Sequence, residues 1–234
     1  MNSYDPAAFP PFAVTVDLAV LTIRDGAFCL LLIERGGEPY AGSWALPGGF
    51  VGIDEDAGSA ARRELVEETG IALSSAHLEQ LATYSDPGRD PRMRVVSVAY
   101  VALVPYPGEP EGGSDAADAR WWALDDLDEV EFAFDHRVIV NDAVERVRGK
   151  IEYTDVALRL MRAEFTLGEL RRTYEAIWGE AIEAANFRRK ILAAESFVTE
   201  VPGALANTGA RPARLYKAGG ARLLHPPFRR SGVT

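Results

Sequence analysis

The sequence is poor in cysteine and histidine, and each shortage closes off a class of function. One cysteine, Cys29, among 234 residues cannot form an intrachain disulfide. Its place in the apolar run AFCLLLI suits a small buried hydrophobe in a reduced compartment. The three histidines, His77, His136 and His225, are scattered without metal-ligand spacing. His136 beside Asp135 reads as a helix-start hydrogen bond rather than a catalytic base. No apolar run reaches the roughly 20 residues of a membrane span. The opening residues, MNSYDPAAFPPF, lack the basic start and continuous apolar stretch of a signal peptide. The expectation is a cytoplasmic protein with no membrane partner.

What is present is enough hydrophobic residue, 47% of the chain, to build a core in each of two domains. The net charge of −10 is unevenly spread: residues 1–150 carry 26 acidic and 12 basic side chains, residues 151–234 carry 9 and 13. A balance of −14 therefore gives way to +4. Such a change suggests an acidic, cation-holding half and a half suited to a polyanion, although surface charge also varies between domains without function.

Residues 13–23 and 27–34 are β-branched and apolar, and they flank Asp25-Gly26, a strong hairpin signal. Residues 55–69 have helix-forming content and stop at Gly70. Strands are expected at 78–84, 95–104 and 119–124, loops at 86–92 and 105–116, and a helix at 135–149. Short strands with one helix in the middle and one at the end fit a mixed α/β/α sandwich over 1–150. In 151–234 the pattern changes. Thr166 and Glu169 form a capping box that opens the helix ELRRTYEAIW, which ends near Gly179. A second helix over 181–194 follows, then two β-like runs, 196–201 and 213–217, around PGALANTGARP. Helix, turn, helix and basic-tipped hairpin is the order of a winged helix-turn-helix. The fold expected is thus α+β, and the tail beyond Lys217 is expected to run irregularly.

The sharpest signal is the spacing G-x5-E-x7-R-E-U-x-E-E-x-G-U, the Nudix pattern. It is met by Gly49, Glu55, Arg63, Glu64, Leu65, Glu67, Glu68, Gly70 and Ile71. On a helix, Glu64, Glu67 and Glu68 share one face. Three carboxylates so close need a cation, and hard oxygen ligands suit Mg²⁺ or Mn²⁺. Arg63 can orient Glu67, Glu55 can brace Arg63, and Gly48 with Gly49 lets backbone approach the metal and phosphates. The catalytic candidates are Glu55, Arg63, Glu64, Glu67 and Glu68. Against a merely solvated acidic helix, the complete pattern decides.

On the second helix of the helix-turn-helix, Phe187 and Ile191 form a core stripe. Asn186, Arg188, Arg189 and Lys190 are left to reach phosphates and base edges. Arg211, Arg214 and Lys217 fall on or beside the wing, and Arg171 and Arg172 are further phosphate candidates. The competing reading is a small appendage whose exposed face happens to be basic.

The combination of Nudix box, FTLGELRRTYEAIWG and NFRRKIL, together with YSDPGRDPR and FDH, resembles the NrtR family of Nudix-related regulators of NAD metabolism. The similarity runs over nearly the whole chain. It implies an ADP-ribose pyrophosphatase-like Nudix domain followed by a winged helix, forming a homodimer on a palindromic double-stranded DNA operator. The effector it implies is ADP-ribose or a related NAD-derived nucleotide. Many such regulators have degraded Nudix boxes, whereas every ligand position is kept here. Three readings therefore stay open: a ligand-controlled repressor, a metal-dependent ADP-ribose hydrolase, or both in one chain. Arg89 and Arg92 are candidates for the effector's phosphates, or else solvated loop charges. Tyr84 and Trp44 are candidate adenine-stacking rings, or else core aromatics. A change of domain arrangement is expected to be absorbed in segment 146–155.

Overall fold

The computed structural model describes residues 5, 10–70, 77–105, 116–206 and 212–230. Strand β1 (Ala13–Arg24) turns directly into β2 (Ala27–Arg35) through Asp25 and Gly26, both at positive φ (48° and 83°). Two left-handed residues twist the turn to match the strands, as the Asp-Gly pair predicts. Two strands then follow that the residue pattern does not announce, β3 (Trp44–Ala45) and β4 (Gly48–Phe50). At two and three residues they are too short for any alternation to show.

Helix α1 (Ala57–Thr69) precedes β5 (His77–Tyr84), β6 (Val95–Leu103) and β7 (Ala116–Ala123). Together they form a seven-stranded mixed sheet of order β3-β2-β1-β6-β5, with β4 pairing β1 and β7 pairing β2. β1 runs parallel to β6 from Ala13 to Leu21 and antiparallel to β2 and β4. Its alternation sorts two cores. Val16, Leu18 and Val20 pack with Ala60, Ala61 and Leu65 of α1. Ala19 and Leu21 face the cluster that includes Ile139, Val140, Ala143 and Val147 of helix α2 (His136–Lys150). Helices cover the sheet on both faces, as an α/β/α sandwich requires.

The remaining chain forms α3 (Leu167–Trp178), α4 (Ala184–Ala193) and a hairpin of β8 (Val198–Ala206) with β9 (Ala213–Ala218). The capping box is formed: Thr166 accepts the Glu169 amide, and Glu169 accepts the Thr166 amide. α3 stops at Gly179 in left-handed conformation (φ 71°). α4 begins later than its sequence suggests, because the Glu183 carboxylate caps it by accepting the Ala185 and Asn186 amides.

Segment 146–155, expected to absorb a change of domain arrangement, is packed in place. α2 runs through Lys150, Val147 and Ile151 are buried, and the Ile151 carbonyl accepts the Tyr174 hydroxyl at 3.1 Å. Among its described residues beyond β9, 219–230, the tail lacks helix or strand, yet it is anchored: the Leu224 and Phe228 amides donate to the Tyr153 and Glu152 carbonyls. The loop residues 106–115, the box residue Ile71 and the wing residue Arg211 lie outside the described residues. No helix among those described is long and apolar enough to cross a membrane.

Candidate functional site

α1 holds the acidic residues in a fixed frame. Asp56 caps its start by accepting the Ser59 amide, and Gly70 ends it at φ 68°. Arg63 is the hub. Its guanidinium donates to Glu55 at 2.6 Å, Glu64 at 2.7 Å, Glu67 at 2.9 Å and the Phe50 carbonyl at 3.1 Å. These bonds, that to Glu55 foremost, hold the guanidinium far above its ordinary range. Glu55 is held below the usual carboxylate value by Arg63 and then by the Gly52 amide. Glu68 accepts the Gly48 amide at 2.7 Å, which ties the end of the helix to β4.

The two glycines are required for different reasons. A Cβ on Gly48 would stand 2.1 Å from the Val16 carbonyl oxygen, and one on Gly49 would stand 2.1 Å from a Glu64 carboxylate oxygen. At Gly48 the missing side chain makes room for a neighbouring strand. At Gly49 it makes room for a box carboxylate.

A cavity of about 760 Å³ opens here, and Gly48, Gly49, Glu64 and Glu68 line it. Glu67 does not, and its side chain is 57% exposed. Among the described residues no three acidic, histidine or cysteine side chains meet as a ready metal cluster. Arg63 occupies Glu64 and Glu67 instead.

The cavity also has a cationic and aromatic part. The Arg35 guanidinium lies 4.9 Å from the Phe134 ring centre, and that of Arg92 lies 5.6 Å from the same ring. Burial, followed by the nearby charge of Arg92, lowers the Arg35 pKa. Two arginines sharing one ring in one cavity leave a place for an anion. Arg92 is additionally paired with Asp90 at 2.7 Å. Arg35, Phe50 and Phe134 are site residues that the sequence pattern does not single out. The Arg-Gly-Gly at the end of β2 is a usable signal, since glycines there admit a phosphate close to backbone.

Arg89 borders the cavity, and its Nε and Nη2 donors are engaged. It makes a forked contact with Asp135 at 2.7 and 3.0 Å and reaches Asp17 at 3.1 Å. Burial would depress its pKa, but the bonds to Asp135 and the charge of Asp17 outweigh burial and hold it above its ordinary value. Its work is to fix the loop after β5 to the start of α2. His136, fully buried, accepts the Leu46 amide on Nδ1 at 2.9 Å, and burial lowers its pKa. Its Nε2 lies 3.5 Å from the Asp17 carboxylate. Tyr84 and Trp44 do not line the cavity. Tyr84 donates to Asp142 at 2.7 Å, and Trp44 packs edge-on against Trp122.

In the second half, Phe187 and Ile191 are buried as expected, and Arg188 and Arg189 are exposed. Arg189 donates to Asn186 at 2.7 Å. Lys190 is turned from that face, with its ammonium 4.7 Å from the Phe228 ring centre. A groove of about 690 Å³ joins Arg188 of α4 with Arg172 of α3, Arg214 of β9 and the α3 start at Thr166–Glu169. Arg214 also bonds Glu200 across the hairpin at 2.9 Å. Arg171 is engaged internally with Glu175 and the Ile182 carbonyl.

Comparison with known proteins gives the same two parts. The NUDIX domain model matches residues 11–143, and the NrtR DNA-binding winged helix domain model matches residues 157–218. The chain is 36% identical, over 93% of its length and 86% of the relative's, to the ADPR responsive transcriptional repressor NtrR of Acinetobacter baylyi. Over 113 residues, 48% of this chain and 64% of the relative's, it is 42% identical to an ADP-ribose pyrophosphatase of Methanocaldococcus jannaschii. Shewanella oneidensis NrtR in complex with a 27mer DNA superposes with a TM-score of 0.78 at 30% identity, covering 92% of this chain and 99% of that one. The NUDIX domain of the same Shewanella protein, complexed with ADP ribose, superposes with a TM-score of 0.57 at 36% identity, covering 62% and 94%. With Arg63 to Glu68 of the Nudix box on one helix, a winged helix-turn-helix behind it and relatives matched along nearly its whole length, the chain belongs to the NrtR family of Nudix-related transcriptional regulators.

Proposed function

We infer that this protein is a DNA-binding repressor whose operator affinity is set by ADP-ribose in the cavity of its Nudix domain. The Nudix domain is taken as residues 1–150 and the DNA-binding domain as residues 151–234. What carries the reading is a single chain in which a carboxylate- and arginine-lined cavity is joined to a winged helix. That chain matches a DNA-bound regulator over 92% of its length. A nucleoside diphosphate would bring negative charge to Arg35 and add to what Asp90 gives Arg92, and the box carboxylates would hold a divalent cation beside it. Glu64 and Glu68 reach the cavity and would hold Mg²⁺ or Mn²⁺ as hard oxygen donors, with Glu67 a further donor were Arg63 to release it. Such a cation, when bound, neutralises diphosphate charge and makes an attached water more acidic.

On the DNA side, α4 presents Asn186, Arg188 and Arg189 to the major groove, while Arg172, Arg211 and Arg214 follow phosphates. A homodimer would place two such helices on a palindromic operator. By resemblance, the regulated genes are those of NAD metabolism. A second reading, in which the protein also hydrolyses its effector, is favoured by one observation: every carboxylate of the box is retained.

Fluorescence anisotropy with DNA from beside the protein's own gene tests the reading. Wild type should bind tightly and more weakly as salt rises, and ADP-ribose with Mg²⁺ should shift that affinity. Arg188→Ala/Arg189→Ala should lose about 2 kcal/mol or more of operator binding. Binding no tighter than to unrelated DNA would sink the repressor reading. Release of diphosphate-cleavage products in the same mixture would establish the hydrolytic one.

A further inference from the structure

We propose that α2 transmits occupancy of the cavity to the DNA-binding helices, and that the C-terminal tail extends this connection to α4. The proposal rests on the reading of the cavity as the ADP-ribose site. It is drawn from what the two ends of one helix touch.

At the cavity end, Phe134 and His136 line the wall, and Asp135, between them, is clamped by Arg89. Phe134 holds a positive φ of 53° that a non-glycine residue adopts only under constraint. Its ring sits beside both Arg35 and Arg92, with Tyr40 edge-on at 4.9 Å. A diphosphate recruited by those arginines competes directly with the Phe134 ring for them. The ligand thus distinguishes two arrangements of the residues that open α2, which is what an effector must do to shift an equilibrium.

The helix is well suited to carry that difference. Its 15 residues span about 22 Å, and Ile139, Val140, Ala143, Val144 and Val147 are buried along one side. Packed interiors deform little, so a displacement at one end moves the other.

The far end is clasped to α3 by three hydrogen bonds. Arg148 donates to the Ile177 carbonyl at 2.9 Å, the Trp178 indole donates to the Arg148 carbonyl at 3.1 Å, and the Tyr174 hydroxyl donates to the Ile151 carbonyl at 3.1 Å. The tail adds a fourth connection. Its backbone is bonded to Glu152 and Tyr153, just beyond α2, while Phe228 packs on Tyr174, Trp178 and Phe187. Phe187 belongs to α4. Both helices of the helix-turn-helix are therefore tied to the end of α2, and neither hangs on a flexible linker.

The test separates communication from binding. Arg148→Met/Tyr174→Phe removes two of the three clasps with little change of shape. Arg24→Met, which removes a cation–ring contact with Trp121 at a residue lining neither the cavity nor the groove, is the control. ADP-ribose affinity by calorimetry, and operator affinity without ADP-ribose, should stay within about twofold of wild type in the double variant. The ADP-ribose-induced change in operator affinity should shrink by about tenfold, a loss within the range of measured allosteric couplings. The control should respond as wild type does. Should the double variant not fold, Trp178→Phe removes the third clasp alone and is read in the same way. An undiminished response, or loss of operator binding before any ADP-ribose is added, overturns the proposal. A wild type that binds ADP-ribose with no change in operator affinity overturns the effector reading and, with it, the relay.

Discussion

Gly48 and Gly49 are neighbours in one strand, yet the atoms they avoid make opposite predictions. Alanine at Gly48 would press on the Val16 carbonyl, which is held in the β1–β4 pairing and cannot move alone. Gly48→Ala should cost about 1–3 kcal/mol of stability, as overpacking of an ordered core does. The atoms nearest to alanine at Gly49 are those of the Glu64 carboxylate, which can swing away at the loss of its bond to Arg63. Gly49→Ala should keep its melting temperature within about 4 °C, a change worth under about 1 kcal/mol. It should nonetheless weaken Mg²⁺-dependent ADP-ribose binding about tenfold or more, because the carboxylate it displaces lines the cavity. Thermal unfolding and calorimetric titration of the pair check this. Unimpaired binding in Gly49→Ala would show that Glu64 does not hold the cation, and equal stability losses would show that the Glu64 side chain cannot swing aside. The spacing of the box makes these residues legible from the amino acids alone. Arg35 and Phe134 are not legible in that way, because their role comes from two distant loops meeting at one cavity, which no local pattern records.

Among the elements, β5 is an edge strand, and what secures it to α2 is a cluster around Glu79. His77, Lys150 and Arg146 all converge on that carboxylate. The hydrogen bond from His77, together with Lys150, holds Glu79 down at about 2 against partial burial. Because the folded-state pKa lies below the unfolded one, the stabilisation is complete above the unfolded value of about 4.3. It is lost as pH falls from there toward 2. Glu79→Gln should thus unfold more easily than wild type at neutral pH, by on the order of 2–3 kcal/mol. The gap should close as both are titrated from pH 4.5 to 2. A gap that stays constant over that interval would mean that the cluster adds no stability through charge. The longer strands and the helices of the sheet are readable from alternation and caps, and the helix-turn-helix from Thr166, Glu169 and Gly179. β3 and β4 are not, since they are set by pairing partners rather than by their own residues.

Across the whole molecule, one apolar cluster extends from Ala19 and Leu21 of β1 through α2 to Tyr174, Phe187 and Phe228. Two domains are recognisable by family, but they share a core where α2 meets α3, so their stabilities should not be independent. The residues after Lys217 read as an irregular end, because an extended segment held by backbone bonds and one aromatic ring has no periodicity to betray it. Phe228 nevertheless is only 5% exposed, with ring centres of Trp178 and Phe187 at 5.2 and 5.5 Å. Removing it opens a cavity between α3, α4 and the end of α2, a change that typically costs about 3–5 kcal/mol. With a shared core, that cost is felt by the sheet as well. Urea unfolding followed by circular dichroism and by tryptophan fluorescence should give one coincident transition in wild type, and one earlier coincident transition in Phe228→Ala. Two separate midpoints in wild type would mean that the halves unfold independently. A shift under about 0.5 kcal/mol in the variant would mark the tail as a surface segment. The coincident outcome would show that the segment after β9 helps to hold the two functions of the chain in one cooperative unit.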